Sequence, residues 1–400
     1  MASARVDGRF TALRFALLAA LSGCVPTAEP LTRDPAPSES TVAGSVDAGP
    51  PPREVLAWVI GDDESLASLK AERGVTLVSP VLHRVSFEGA EPKITAWSRP
   101  QDSERLTRAI ARFAERDRLP LVACGGSCAR RLARTLSDSA MTTRLEDQLF
   151  ALATDHGGVL LDFEGLVGES QFFSSLVKSL GARLRRHKKR LALALPAPCP
   201  LSLTPAAAKT SSCVQPAPGS AYDFRALTAE SDLVAIMLYD HDTTGARPPQ
   251  PREWIVGALS RLAGLVPKDQ FDRLAFGVPL YGRVDGALME GRSDFLWSAL
   301  HRGRIRGRTV RTSSRRFDDS ALSTVATATV TLGDGGAQRG PIFIEDHTAT
   351  RQRLALALEH GFSKIALWRL GGEDPCTALV LDAFRTGQPL DVPCVKPSER

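Results

Sequence analysis

The stretch GGVLLDFEGL, residues 157–166, runs from an apolar segment directly into two carboxylates spaced one residue apart. Val159, Leu160 and Leu161 read as a strand buried on both faces, the pattern of a parallel sheet covered by helices. Side chains two apart on a strand point the same way, so Leu160, Asp162 and Glu164 share one face. Two acids on the inner face of an apolar strand cost free energy unless something uses them. A buried pair satisfied by arginine or backbone donors is the alternative at this point.

Outward from this stretch, short apolar runs alternate with amphipathic helical ones. Strands are expected to begin near residues 55, 75, 119, 158, 190, 233, 274 and 364, with helices such as SERLTRAIARFAER and FFSSLVKSLGARLRRHKK between them. Asp62 or Asp63 caps the first helix. The alternation predicts an α/β chain with a parallel sheet, and the count of eight strands predicts a closed (β/α)8 TIM barrel over residues 54–390. An open doubly wound sheet is the competing fold. No Gly-x-Gly-x-x-Gly follows the first strand, which speaks against dinucleotide binding. In a barrel the C-terminal ends of the strands carry the active site, and Asp162 and Glu164 end the fourth.

The N-terminus reads as a targeting segment. Arginines punctuate its start, FALLAALSG is too short to span a bilayer, and Leu21-Ser22-Gly23-Cys24 resembles a bacterial lipobox. On that reading residues 1–23 are a lipoprotein signal peptide and Cys24 is lipidated. An ordinary secretory signal with Cys24 incidental is the alternative. Val25 follows, with no aspartate there, which favours the outer membrane. Residues 24–53, rich in Pro, Ser, Ala and Gly, form a disordered tether, and 391–400 a flexible tail.

The 400 residues carry a net charge of +5, with 43% hydrophobic and 24% charged residues. Removing residues 1–23 takes away Arg5, Arg9, Arg14 and Asp7, leaving a balance that excludes an argument for nucleic-acid binding. An exported chain is free to form disulfides, and Cys199–Cys213 and Cys376–Cys394 are the natural pairs among six remaining cysteines. Cys124 and Cys128 have no companion pair for zinc.

GGVLLDFE is similar to the signature of glycoside hydrolase family 18, Asp-Gly-x-Asp-x-Asp-x-Glu, and closer to the variant of the spore-germination and cortex-lytic N-acetylglucosaminidases. Other segments agree in order: ACGG (123–126) resembles the third-strand motif, MLYD (237–240) the sixth, GVPLYGR (277–283) the seventh and ALWRLGGEDP (366–375) the eighth. SPVLHRV and IEDHTATRQRL resemble the germination subgroup, and the resemblance covers roughly residues 54–380. Gly157, Leu160 and Ala123 depart from the pattern, where the family has Asp, Asp or Asn, and Ser.

The resemblance implies substrate-assisted, retaining hydrolysis of a β-linked N-acetylglucosamine glycan, chitin-like or peptidoglycan, without metal or other cofactor. Glu164 is then the general acid, Asp162 orients the 2-acetamido group and stabilises the oxazolinium, and Tyr239 donates to the acetamido carbonyl. Trp368 is the sugar platform, and Met237, Asp240, Tyr281 and Arg283 are the further substrate-binding candidates. Asp240, His241 and Asp242 suggest a metal, but the motif already accounts for Asp240. Glu345 is a sugar contact, a support for one, or a surface ion pair. An insertion over 284–342 carries Arg302, Arg304, Arg306 and Arg308 at period two, four guanidinium groups on one strand face, either solvated or docked on an anionic polymer.

The expectation is therefore a monomeric glycosidase held to the cell envelope by lipid. The competing class is a glycan-binding barrel without turnover, and a structural envelope lipoprotein is the third. If Cys24 carries the only anchor, Cys24→Ala moves the protein from the membrane fraction to the soluble fraction; unchanged membrane association refutes lipidation.

Overall fold

Eight parallel strands close on themselves: β1 (Glu54–Val59), β2 (Leu77–Glu88), β3 (Leu121–Cys124), β4 (Gly158–Phe163), β5 (Arg190–Pro196), β6 (Leu233–Met237), β7 (Leu274–Pro279) and β8 (Lys364–Trp368). Each pairs with its neighbour in chain order, and β1 closes the ring by pairing with both β2, at Leu56↔Leu77, and β8, at Leu56↔Ala366. The structure is a computed structural model and describes residues 53–168, 170–216, 220–243, 247–289, 294–332 and 335–394. Cys24 and the expected signal and tether lie outside the described residues, Arg53 excepted.

The period of two gives the ring two apolar faces. Outward, Val159, Leu161 and Phe163 of β4 meet Phe173, Leu176, Val177 and Leu180 of the helix Ser170–Arg186. Inward, Leu160 meets Leu56, Leu121, Leu233 and a set of small residues: Ala123, Ala192, Ala194, Ala235, Ala275 and Ala366. Trp58, 1% exposed, fills the space those alanines leave. The helices are closed by their own chemistry; Asp62 caps Asp63–Ala71 by accepting from the Ser65 amide, and Asp346 caps His347–Glu359. Strand starts agree with the sequence expectation to within a few residues. The helices Ser127–Leu136 and Thr377–Thr386, and the strand Glu91–Ala96 that makes a hairpin with β2, were not foreseen. None of the helices among the described residues is long and apolar enough to cross a membrane.

Between β7 and β8 the chain builds a separate antiparallel sheet. Its strands run in the order Asp294–Phe295, Gly282–Val284, Ala337–Ile344, Ser323–Thr331, Arg308–Thr312 and Arg304–Ile305, with Arg316–Asp318 pairing on Ser323–Thr331. Val284, Phe295, Val310, Val330 and Ile342 form a core of its own.

The four arginines do not share a strand face. Arg302 caps the helix Trp297–His301, Arg304 lies on a two-residue strand, and Arg306 occupies the turn to Arg308 with φ +49°. A tight turn breaks the period of two, and each guanidinium finds a neighbour: Glu64 for Arg302, the Gly307 carbonyl for Arg304, Asp294 for Arg306 and the Leu288 carbonyl for Arg308.

Three disulfides are formed, Cys199–Cys213 and Cys376–Cys394 as expected and Cys124–Cys128 besides. The expected tail is therefore tied down over its first residues, at Cys394 and by an ion pair of Asp391 with Arg351. Glu345 is neither a sugar contact nor a surface pair. It is buried, bonded to Arg353 and accepting from the Ser323 hydroxyl at 2.6 Å, and so joins the inserted sheet to the helix His347–Glu359. Burial raises its pKa against the lowering effect of Arg353. Removing one member of a buried ion pair costs about 3–5 kcal/mol. Glu345→Gln, which strands a permanent cation, should therefore destabilise more than Arg353→Met, whose remaining carboxyl can take up a proton; equal urea midpoints for the two variants would contradict this.

Candidate active site

Asp162 occupies the last inward position of β4, between Ala123 on β3 and Ala194 on β5 in the ladder. It is 8% exposed, and its Oδ1 has no hydrogen-bond partner among the described residues. Leu160 below it is fully buried in the barrel interior. The departures from the family pattern thus have a joint effect: Leu160 and Ala123, both apolar, stand where polar side chains would support this carboxyl. Burial first, and the charge of Glu164 second, hold its pKa well above the ordinary aspartate range.

Glu164 stands one step beyond the strand, but its amide still donates to the Cys124 carbonyl at 2.9 Å. Gly165, at φ +69°, turns the chain away immediately afterwards, a conformation that favours glycine. Behind the acid, the Cys124–Cys128 disulfide spans the Gly125–Gly126 loop, and a Cβ on Gly125 would lie 3.9 Å from that of Glu164. Glu164 is exposed as a residue, although protein packs around its carboxyl. The protein packed around the carboxyl, then the charge of Asp240, raise its pKa.

The facing wall comes from β6 and β7. Met237 ends β6 at 9% exposure, and Tyr239, two residues on and on the same side, is 5% exposed with a hydroxyl that has no partner among the described residues. Burial, Tyr281 and the charges of Asp162, Glu164 and Asp240 all raise the pKa of Tyr239, keeping it a hydrogen-bond donor. Its ring meets that of Tyr281 edge-on at 6.4 Å. Asp240, at φ +59°, accepts from the Tyr281 hydroxyl and is ion-paired with Arg283, which also donates to the Asp242 carbonyl. The Asp240 carboxylate and the Asp242 carbonyl are thus engaged in holding Tyr281 and Arg283. Among the described residues the only group of metal-ligating types is His347, Cys376 and Cys394, whose two sulfurs are bonded to each other.

Trp368 ends β8 with its ring edge-on to Trp58 at 5.6 Å. It lines a cleft of about 340 Å³ together with Asp240, Thr243, Tyr281, Arg283, Asp294, Leu296 and Arg369, a size suited to a small ligand or a sugar unit. Asp294 and Leu296 belong to the inserted sheet region, so the insertion supplies part of one wall. All eight residues expected to form the site therefore lie at or just beyond the C-terminal ends of β4, β6, β7 and β8. The sequence reading missed Trp58, the Arg369–Asp62 ion pair at 2.8 Å, and Tyr222, whose hydroxyl contacts the turn after Glu164. Trp58, Asp62 and Tyr222 belong to no motif, and Arg369 lies inside ALWRLGGEDP without having been singled out there; the rarity of tyrosine in the chain was the one available signal for Tyr222.

Solved structures share this architecture. A chitinase from Chromobacterium violaceum superposes with a TM-score of 0.63 at 20% identity, covering 84% of this chain and 99% of that one. The fold is that of the family 18 chitinases. The spore cortex-lytic enzyme SleL of Bacillus megaterium has the same chitinase fold, with a TM-score of 0.61 at 15% identity over 82% of this chain and 73% of that one. So has a class V chitinase mutant from Cycas revoluta in complex with (GlcNAc)3, with a TM-score of 0.60 at 17% identity over 84% and 100%. These are the groups that the strand-end motifs resemble. No family model and no curated protein matches the sequence.

Within this chitinase fold, the isolation of Asp162 is open to a direct test. Leu160→Asn places a donor beneath the carboxyl, and donors favour the ionised form. The Asp162 carboxyl should then titrate at lower pH than in the wild type, followed by its carboxyl carbon shift in NMR; an unmoved titration would mean that position 160 does not reach it.

Proposed function

We propose that the chain is a family 18 glycosidase that hydrolyses a β-linked, N-acetylglucosamine-containing glycan, peptidoglycan or a chitin-like polymer, by substrate-assisted retaining catalysis. One observation carries the reading: a buried carboxylate oxygen of Asp162 and the buried Tyr239 hydroxyl both lack hydrogen-bond partners among the described residues, at the end of the barrel where substrates bind. Leaving two such groups unpaired is unfavourable by about 1–3 kcal/mol each unless a ligand meets them. A 2-acetamido group has the matching chemistry, with an N–H for the carboxylate and a carbonyl for the phenol.

In this mechanism Glu164, whose pKa is raised, delivers its proton to the glycosidic oxygen as the bond breaks. The acetamido carbonyl, held by Tyr239, attacks the anomeric carbon and closes an oxazolinium ring. Burial and the charge of Glu164 raise the Asp162 pKa, and its buried carboxyl oxygen accepts from the acetamido N–H and stabilises the positive charge as it grows on the ring. Its stabilisation therefore develops with the reaction, the condition for lowering the barrier rather than only binding substrate. Glu164, now a base, activates the water that opens the ring. Trp368 offers the aromatic face for a sugar, and the cleft residues Asp240 and Arg283 hold Tyr281 in place.

The proposal includes the cellular setting: an exported, monomeric enzyme tethered through Cys24 to the outer membrane, without metal or cofactor. The three disulfides support an oxidising compartment. The apolar surroundings of Asp162 favour a second reading, a glycan-binding barrel without turnover. Glu164→Gln keeps the shape of the acid but holds no transferable proton. Turnover of peptidoglycan or N-acetylglucosamine oligomers should fall by roughly two to four orders of magnitude, with glycan binding retained, and Asp162→Asn should also reduce turnover. Full activity of E164Q would overturn the mechanism; a wild type that binds glycan but releases no new reducing ends would establish the second reading.

A further inference from the structure

Tyr222 belongs to none of the family motifs. It lies just before the helix Phe224–Glu230 and is 4% exposed. Its hydroxyl donates to the carbonyl of Phe163 at 2.7 Å and accepts from the amide of Leu166 at 3.2 Å, both inside the protein. Those two backbone groups bracket Glu164 and Gly165. The ring is held edge-on by Phe173 at 6.3 Å, and Phe173 packs on Phe163 at 5.8 Å. Two residues earlier, Ser220 bridges to Val167 and receives the Tyr222 amide. The segment is therefore laid along the acid-bearing turn at two levels.

The turn needs such support. It leaves the β-ladder after Glu164, and Gly165 at φ +69° and Gly168 at φ +114° have nothing near the position a Cβ would take. On the β3 side the Glu164 amide is tied to Cys124; on the far side the Tyr222 hydroxyl is the tie. Burial pushes the ionisation of this hydroxyl up, so it stays a donor throughout the neutral range.

We propose that Tyr222 is a positioning residue for the general acid: by bridging the Phe163 carbonyl and the Leu166 amide, its hydroxyl fixes the turn that aims the Glu164 carboxyl at the scissile bond. The inference rests on the reading of Glu164 as that acid. A displacement of about 1 Å in a catalytic group can cost on the order of 100-fold in rate. Loosening the turn also takes protein away from the Glu164 carboxyl and lowers its pKa toward that of a free glutamate. An acid must be protonated to act, so the alkaline limb of the kcat profile reports its pKa and moves to lower pH when that pKa falls.

The test is Tyr222→Phe, assayed beside wild type and E164Q on N-acetylglucosamine oligomers. The expected result is a loss of kcat of about 10- to 100-fold, KM within about threefold, and an alkaline limb shifted to lower pH. A wild-type kcat and an unmoved limb in Y222F, with E164Q inactive, overturns the positioning role alone. Full turnover in E164Q overturns the acid assignment and this inference with it. If Y222F fails to fold, p-aminophenylalanine at position 222, which keeps the ring and a donor for the Phe163 carbonyl, should retain most of kcat and the limb. Loss of kcat in that folded variant, with the limb unmoved, counts against the role.

Discussion

Closure of the eight-stranded ladder is the constraint on which the rest depends. Because β1 hydrogen-bonds to both β2 and β8, every strand has an inside and an outside, and the alternation of side chains along each becomes a sorting rule. Val159, Leu161 and Phe163 go to the helices, while Leu160 and Asp162 go to the axis. The small inner residues of β5 to β8 leave room that Trp58 fills from β1, and its ring stands against Trp368 at the rim. The cleft wall is thus supported by the barrel interior rather than by loops alone.

At the rim the acids are treated differently. Asp240 is neutralised by Arg283 and hydrogen-bonded by Tyr281. Asp162 is pushed up in pKa by burial and by the charge of Glu164, while Glu164 is raised by burial and by Asp240. The three carboxyls at the rim thus sit in different surroundings, one ion-paired and two with raised pKa values. The replacement of polar support by Leu160 and Ala123 sharpens the isolation of Asp162 without disturbing its position in the ladder.

The inserted sheet and the disulfides act on this rim from outside. The buried Glu345–Arg353 pair and Ser323 anchor the insertion to the helix before β8, and the insertion returns Asp294 and Leu296 to the cleft. Cys124–Cys128 closes the loop behind Glu164, and Tyr222 braces the turn ahead of it. The basic character of the insertion is largely spent internally, since Arg302, Arg304, Arg306 and Arg308 each find a carboxylate or a carbonyl.

The sequence alone pointed to the barrel, its strand starts, two of the three disulfides and the strand ends where the candidate site lies. These properties are local: apolar period, turn residues and short motifs repeat within a few positions, so Asp162, Glu164, Tyr239, Asp240, Tyr281, Arg283 and Trp368 could be placed on strand ends without knowing what they touch. Tertiary structure alone decided the contacts between distant segments. Tyr222 reaches Phe163 across 59 positions, Arg369 reaches Asp62 across 307, and Glu345 turns inward because Arg353 and Ser323 meet it there. The arginines at 302–308 show the same limit within seven residues: a period of two predicts one face only while the backbone stays extended, and the turn at Arg306 ends it. A residue's type sets the bonds it is able to make; which of them it makes depends on the closed ring that brings far segments to one rim.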